Sequence, residues 1–233
     1  MKDFSNRYIF IFSVVMVAIV AALLSSAAML LQPLQERNRV IEKKKNILAS
    51  VRVEATKENA AELYEKVIES SMVLDKNGET VDNIDPFNID LRAEQRKPLD
   101  QQNLPLFVAK PNDTLKVVII PVEGRGLWGP IFGYISLEAD MNTVYGVNFD
   151  HVSETPGLGA EINTSWFGEY FKGKKIFDGN RFVSIKVIKG GARDDDPHGV
   201  DAISGGTITS TGLEEMLYDC LVKYEKYFNK NRL

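Results

Sequence analysis

The pattern of apolar and polar positions begins with an apolar run at 8–31 that contains no charged residue. These 24 positions, as a helix rising about 1.5 Å per residue, are long enough to cross a hydrocarbon core of roughly 30 Å. The alternative is a cleaved signal peptide, whose apolar region is usually about 7 to 15 residues long. Because the run continues past the small residues at 25–28, the pattern favours a retained membrane helix at 8–31 behind a short tail at 1–7.

Apolar residues at helical spacing continue beyond the run. They predict a juxtamembrane helix followed by a second helix that starts near Thr56, and together these form a helical stalk at 32–72. The DKNGE segment at 75–79 predicts a turn. The stretch at 82–105, which contains three prolines and many polar residues, predicts a long surface excursion.

The periodicity then changes to that of β-strands. Buried strands are predicted at 115–122, 131–137 and 143–149, and a half-exposed strand at 181–189. A helix is predicted around 165–171, and the order Thr211, Gly212, Leu213, Glu214 resembles a capping box that starts the last helix. The predicted fold class is α+β: one domain at 73–233 with a mixed sheet and flanking helices, behind one transmembrane helix.

Composition excludes several classes of function. The chain has 233 residues and a net charge of −4, which gives no electrostatic footprint for nucleic acid. Two distant histidines and one cysteine offer neither a disulfide nor the clustered ligands of a metal site. We therefore expect no metal, and any redox chemistry requires an organic cofactor.

The chemistry-bearing segment is DAISGGTITST at 201–211, which places five hydroxyls and two glycines before a helix. Glycines let the backbone approach a ligand, and amides at a helix start bind phosphate. The alternative is a Ser/Thr/Gly loop that only caps the helix. Spacing alone leaves both interpretations open.

The segment DAISGGTITS resembles the acceptor motif of the FMN-binding domain family, in which a flavin transferase attaches FMN through its phosphate to a threonine. The resemblance implies that Thr207 carries covalent FMN and that the transferase recognises Asp201. Gly206 stands where the family usually has alanine. The cofactor-binding residues implied within this motif are Asp201, Ser204, Gly205, Gly206, Thr207 and Thr209.

Two further segments, HVSETPGLGAEI at 151–162 and GRGLWGPIFGYISLE at 124–138, are also similar to the family. The first has one extra residue between its histidine and glutamate. For the flavin ring the resemblance implies an apolar face and polar groups at the ring edge, whereas the alternative for each residue is ordinary turn or core packing. The implied contacts are Leu127, Trp128, Glu154, Thr155, Gly157, Leu158 and Gly159, with Pro156 beside them.

With these motifs behind an apolar anchor, the chain resembles the C subunits of sodium-translocating NADH:quinone oxidoreductases. Relatives of these C subunits are the G subunits of Rnf complexes. This implies a redox subunit without catalytic residues or activity of its own, which relays electrons from an iron–sulfur centre to the next flavin and on to ubiquinone. Implied partners are the other members of a complex of six subunits, the flavin transferase and membrane lipids. One alternative is a G subunit of the Rnf ferredoxin:NAD oxidoreductase complex, with the same flavin chemistry. A non-redox, membrane-tethered binding module is the alternative from another class.

The resemblance also implies an inner-membrane protein with its FMN domain on the periplasmic side. The basic residues at 37–45 predict the opposite orientation by the positive-inside rule, which weakens for long translocated domains. Contact of these basic residues with lipid head groups or a partner subunit would reconcile the two expectations.

Overall fold

A computed structural model describes residues 5–112 and 114–232. The chain divides into two compact units, Met1–Lys43 and Lys44–Leu233. From Asn6 onward the first unit is part of helix α1, Asn6–Ser50, which is long and apolar enough to cross a membrane. Pro33 lies inside this helix, just beyond the end of the apolar run at 8–31. The predicted divisions at 8–31, 32–72 and 73–233 remain predictions.

The second unit contains the end of α1 at 44–50, five further helices and ten strands among the described residues. The helices are α2 Ala60–Val67, α3 Leu91–Gln95, α4 Ser165–Glu169, α5 Thr207–Leu221 and α6 Glu225–Asn231. The strands are β1 Ile68–Leu74, β2 Thr80–Val81, β3 Leu104–Asn112, β4 Leu115–Arg125, β5 Pro130–Glu138, β6 Val144–His151, β7 Phe177–Asp178, β8 Arg181–Phe182, β9 Lys186–Ile188 and β10 Gly199–Asp201. Single 3-10 turns lie at Pro86–Asn88, Leu99–Gln101, Gly159–Asn163 and Val222–Tyr224.

Six strands form one sheet in the order β2-β1-β3-β4-β5-β6, and each neighbouring pair is antiparallel. Strands β9 and β10 pair in parallel in a separate ladder, and β7 pairs with β8. Strands of both orientations and flanking helices confirm the predicted α+β class.

Both faces of the sheet are buried, as strand β3 shows by alternation. Leu106 and Val108 lie in the core cluster that includes α5, whereas Phe107 and Ala109 lie in a second cluster beneath the opposite face. Successive side chains on a strand point to opposite faces. The apolar residues of β3 are therefore consecutive because both faces of this strand are buried.

Helix α5 lies unusually close to strand β4. A Cβ atom on Gly212 would lie 2.2 Å from the carbonyl oxygen of Arg125, and one on Gly124 would lie 2.6 Å from Cβ of Met216. The absence of side chains at these two glycines allows the helix and the strand to approach. Cys220 on the same helix is buried, and burial raises the pKa of its thiol.

The structure corrects three local predictions. Residues 68–72, whose helical spacing predicts the end of the second helix, form strand β1, because they pair with β3. The predicted surface excursion ends where β3 begins at Leu104, and its interior contains the short helix α3. The predicted strand at 181–189 is interrupted, and only its two ends, in β8 and β9, are strands.

The predicted start of the last helix is also wrong. Helix α5 begins at Thr207, four residues before the predicted cap, and Thr211 lies inside it. Glu214 does not close a capping box, because its Oε2 accepts a hydrogen bond from the backbone N–H of Val187 at 2.8 Å. The helix therefore begins within the hydroxyl-rich motif, and this places Thr207 at its first position.

Candidate functional site

Three segments that are distant in sequence meet beside the start of α5. They are the turn between β4 and β5, the loop that follows β6, and the residues that begin α5. Together they line an open pocket of about 220 Å³. The lining residues are Leu127, Glu154, Thr155, Leu158, Gly159, Gly205, Gly206, Thr207, Ile208 and Thr209. Nine of the thirteen residues implied by the resemblance are among them.

The start of α5 borders the pocket with a helix N-terminus, the kind of group that can bind an anion. The first backbone N–H groups of a helix have no acceptor within the helix, and the helix dipole adds positive potential there. Gly205, immediately before, has φ +76°, and a Cβ atom on it would lie 2.6 Å from Cδ2 of Leu158. Gly206 has φ −103°, which other residues also adopt. Alanine at this position would place its methyl 3.0 Å from Cγ2 of Ile203, so a modest local adjustment would accommodate it.

The structure distinguishes the hydroxyls of the motif from one another. Thr209 donates to Oε2 of Glu154 at 2.6 Å, and Thr211 donates to the carbonyl oxygen of Thr207 at 3.0 Å. The Ser210 hydroxyl accepts a hydrogen bond from the N–H of Ile203 at 3.1 Å. These three hydroxyls are therefore engaged in holding the fold.

The two remaining hydroxyls, on Ser204 and Thr207, belong to exposed residues. Neither hydroxyl has a hydrogen-bond partner within the part of the chain that the structure describes. Thr207 lines the pocket and Ser204 does not. Thr207 is therefore the residue of the motif that combines an exposed position, a place in the pocket lining and a hydroxyl not used within the described residues.

Glu154 lies at the floor of the pocket with 5% of its surface exposed. Its Oε1 accepts a hydrogen bond from the N–H of Trp128 at 2.9 Å, and its Oε2 accepts the one from Thr209. A Cβ atom on Gly126 would lie 2.5 Å from Oε1, and one on Gly159 would lie 2.6 Å from Oε2. The carboxylate therefore joins all three segments, and two glycines make room for it.

Exposed apolar residues line the pocket or follow a lining residue in the chain. Ile208, which is 59% exposed, lines it with Leu127 and Leu158, and Trp128, which is 67% exposed, follows Leu127. Burial of such surface stabilises a complex by about 25 cal/mol per Å². Ile208 is not among the sequence-predicted site residues, since a residue that follows an acceptor threonine carries no signal of its own in composition or spacing.

Four predicted residues lie outside the pocket lining. Trp128 contributes its backbone N–H to Glu154, while Ser204 lies exposed just before the pocket glycines. Asp201 accepts a hydrogen bond from the N–H of Ala192 at 2.7 Å, so it organises a neighbouring loop. Gly157 has φ +76° and donates its N–H to Oε1 of Glu161 at 3.1 Å.

His151, whose spacing to the glutamate has one extra residue, still contacts that segment. Its Nδ1 accepts a hydrogen bond from the N–H of Glu154 at 3.2 Å. A larger pocket of about 390 Å³ lies elsewhere, near Arg52 and Glu169. None of the residues implied by the resemblance lines it, and an ion pair between Arg52 and Glu169 at 2.8 Å occupies its rim.

Comparisons with known proteins agree with the geometry. Residues 126–222 match the family model described as FMN-binding domain, and this range contains all three segments of the pocket. The chain is 37% identical over 208 residues to the C subunit of the Na(+)-translocating NADH-quinone reductase of Vibrio vulnificus, with 82% of this chain and 81% of that protein covered. This chain belongs to the family of these C subunits.

Other members of this C-subunit family extend the comparison. The C subunit from Pseudomonas aeruginosa is 30% identical, with 89% of this chain and 90% of that protein covered. The crystal structure of the C subunit from Parabacteroides distasonis is 41% identical in sequence and has a TM-score of 0.78. The match covers 85% of this chain and 96% of the Parabacteroides chain. The crystal structure of NqrC from Shewanella oneidensis is 26% identical in sequence and has a TM-score of 0.71. The match covers 84% of this chain and 97% of the Shewanella chain.

Proposed function

We propose that this chain holds FMN as a phosphoester on Thr207 and relays electrons within a membrane Na⁺-translocating NADH:quinone reductase. The single observation that carries the attachment site is the state of the motif's hydroxyls. Thr207 presents an exposed hydroxyl at the pocket, whereas the hydroxyls of Thr209, Ser210 and Thr211 are held by the protein. In the attachment step, Thr207 Oγ1 would form the new P–O bond while the P–O–P bond of an FMN phosphoanhydride breaks, and the hydroxyl proton and the second phosphate fragment would leave.

The residues present fit FMN by their chemistry. The N–H groups that begin α5 suit its phosphate, and the exposed apolar residues around the pocket suit the face of its ring. At about 220 Å³, the pocket is smaller than the roughly 300–1,000 Å³ of sites that enclose a ligand. A pocket that covers a cofactor only in part binds it weakly, and a covalent bond keeps the cofactor on the protein. A pocket that is open to solvent also suits electron transfer to a partner.

FMN supplies the electron-carrying chemistry, and this chain's residues hold and orient it. Within the complex, the proposed relay runs from an iron–sulfur centre in neighbouring membrane subunits to this flavin, then to the next flavin and on to ubiquinone. The names of the relatives support membership in such a complex. Since the run at 8–31 contains no acidic or basic side chain, ion translocation is assigned to other subunits.

We place α1 in the inner membrane, with the second unit on the periplasmic side. The basic residues at 37–45 oppose this orientation by charge alone. The structure gives one of them another role: Lys44 forms an ion pair with Glu65 at 3.1 Å, and its Nζ lies 4.7 Å from the centre of the Tyr64 ring. Lys44 is therefore engaged within the domain.

Co-expression with a flavin transferase tests the attachment site. The wild-type chain should show flavin fluorescence on a denaturing gel, and Thr207→Val should lose it. Ser204→Ala is the matched control, because it removes the other exposed hydroxyl of the motif, and it should keep the fluorescence. Fluorescence that survives Thr207→Val would refute Thr207 as the acceptor, and a non-fluorescent wild-type band would favour a non-redox binding module. Co-purified subunits would distinguish this complex from an Rnf complex.

A further inference from the structure

The carboxylate of Glu154 is buried without a cation to balance it. No ion pair involves Glu154 in residues 5–112 and 114–232. Its two oxygens instead accept one hydrogen bond each, from the N–H of Trp128 and the hydroxyl of Thr209. Burial of a charge that is not neutralised costs free energy. A group with this cost at the floor of a pocket calls for a role beyond packing.

We propose that Glu154 is the positioning residue of this pocket and that its negative charge lowers the midpoint potential of the flavin. The first part concerns the protein alone. Without the carboxylate, the turn at Trp128 and the start of α5 lose the group that joins them. The second part rests on the proposed FMN site, since it concerns a ring held beside residues that Glu154 fixes.

The charge acts in a poorly solvated place. Glu154 is both a lining residue of the pocket and 95% shielded from solvent, because 5% of its surface is exposed. Water screens such a charge weakly, so its field reaches into the pocket. An electron added to the ring brings negative charge toward the carboxylate, which disfavours reduction. The start of α5 acts in the opposite direction through its dipole.

Hydrogen exchange in the full-length protein tests the positioning role before any flavin is considered. In Glu154→Ala, the peptide that contains residues 126–129 should exchange faster than in the wild type, since Trp128 loses its acceptor. Glu154→Gln retains an amide oxygen at that position and should exchange nearly as slowly as the wild type. Thr209→Val keeps the charge of Glu154 but removes the hydroxyl that donates to it, so this variant tests the contact between Glu154 and α5 separately. Unchanged exchange in Glu154→Ala would overturn the positioning role.

Redox titration of the flavin-loaded chain tests the effect of charge. Glu154→Gln should shift the midpoint potential to a more positive value. Glu215→Gln is the matched control, since it removes an exposed carboxylate from the same helix α5, and its shift should be smaller. Equal potentials in Glu154→Gln and the wild type would overturn the charge effect. A wild-type chain without flavin would overturn both the proposed function and the charge effect, while hydrogen exchange would still decide the positioning role.

Discussion

Asp140 organises the connection between β5 and β6 by accepting three hydrogen bonds. Its Oδ1 accepts from the N–H groups of Asn142 at 3.0 Å and Thr143 at 2.8 Å, and its Oδ2 accepts from the Thr143 hydroxyl at 2.6 Å. Partial burial alone would raise the pKa of Asp140, but these hydrogen bonds outweigh it, and the pKa is lowered. Proton binding to the unfolded chain is therefore favoured over binding to the folded chain.

This lowered pKa predicts how the stability of Asp140→Asn depends on pH. The stabilisation from the ionised carboxylate is present above the unfolded pKa of about 3.9 and is lost as pH falls through the folded pKa. At pH 7, Asp140→Asn should be less stable than the wild type by about 1 kcal/mol or more, because charged hydrogen bonds are lost. Urea unfolding of the second unit should show this difference shrink below about pH 4. Asp219→Asn, an exposed carboxylate on α5, should change little, and a pH-independent difference for Asp140→Asn would contradict the linkage.

For single residues, the sequence shows which chemical groups are present but not what surrounds them in the fold. The hydroxyls of the 201–211 motif are equivalent by spacing, and only the resemblance singles out Thr207. The structure separates it from its neighbours through long-range partners such as Glu154, which lies 55 positions from Thr209. Glu154 itself is expected at the ring edge, yet both of its oxygens are engaged within the protein. Contacts between distant segments cannot be read from local pattern.

The packing of α5 on β4 makes a prediction about an element. Alanine at Gly212 would place its methyl 2.2 Å from the carbonyl oxygen of Arg125, and this neighbour is backbone with little freedom to move. The strain should exceed the roughly 1 kcal/mol that alanine gains in helix propensity. We expect Gly212→Ala to lose about 2 kcal/mol of unfolding free energy, measured by denaturant titration.

A glycine in a different helix provides the control for this prediction. Gly168 lies in α4, and a Cβ atom there would lie 3.5 Å from Cγ2 of Val147, an ordinary contact. Gly168→Ala should therefore leave stability unchanged or raise it slightly. If Gly212→Ala were as stable as the wild type, the close approach of α5 to β4 would not hold. Loss of Thr207 flavinylation in Gly212→Ala alone would further indicate that this packing positions the acceptor.

Predictions of whole elements succeed where one signal dominates. Long apolar strands such as those at 115–122 and 131–137 are found within β4 and β5. The sequence predicts helix for β1 because its apolar spacing fits both structures, and pairing with β3 decides the outcome. The predicted start of α5 is too late because Thr211 and Glu214 resemble a cap, although Glu214 contacts Val187 from within the helix.

At the scale of the whole molecule, the end of α1 belongs to the core of the second unit. Ile47 and Leu48 of α1, and Val51 directly after it, are fully buried in the cluster beneath the sheet. The carbonyl oxygen of Ser50 accepts a hydrogen bond from the Ser136 hydroxyl on β5 at 2.6 Å. The apolar pattern of the sequence marks these residues as one face of a helix, but it cannot show that they complete the core of the second unit.

Two truncations test this assignment. A chain that begins at Lys44 keeps the end of α1 and Val51 after it, and it should fold as a soluble domain with a cooperative thermal transition. A chain that begins at Arg52 lacks Ile47, Leu48 and Val51, each worth about 1.5–3 kcal/mol when buried. Their combined loss is comparable to the roughly 5–15 kcal/mol that stabilises a typical domain. We expect the shorter chain to be insoluble or to unfold without cooperativity, as measured by circular dichroism and proteolysis. If both chains melted at the same temperature, the last turn of α1 would not be part of the folded domain.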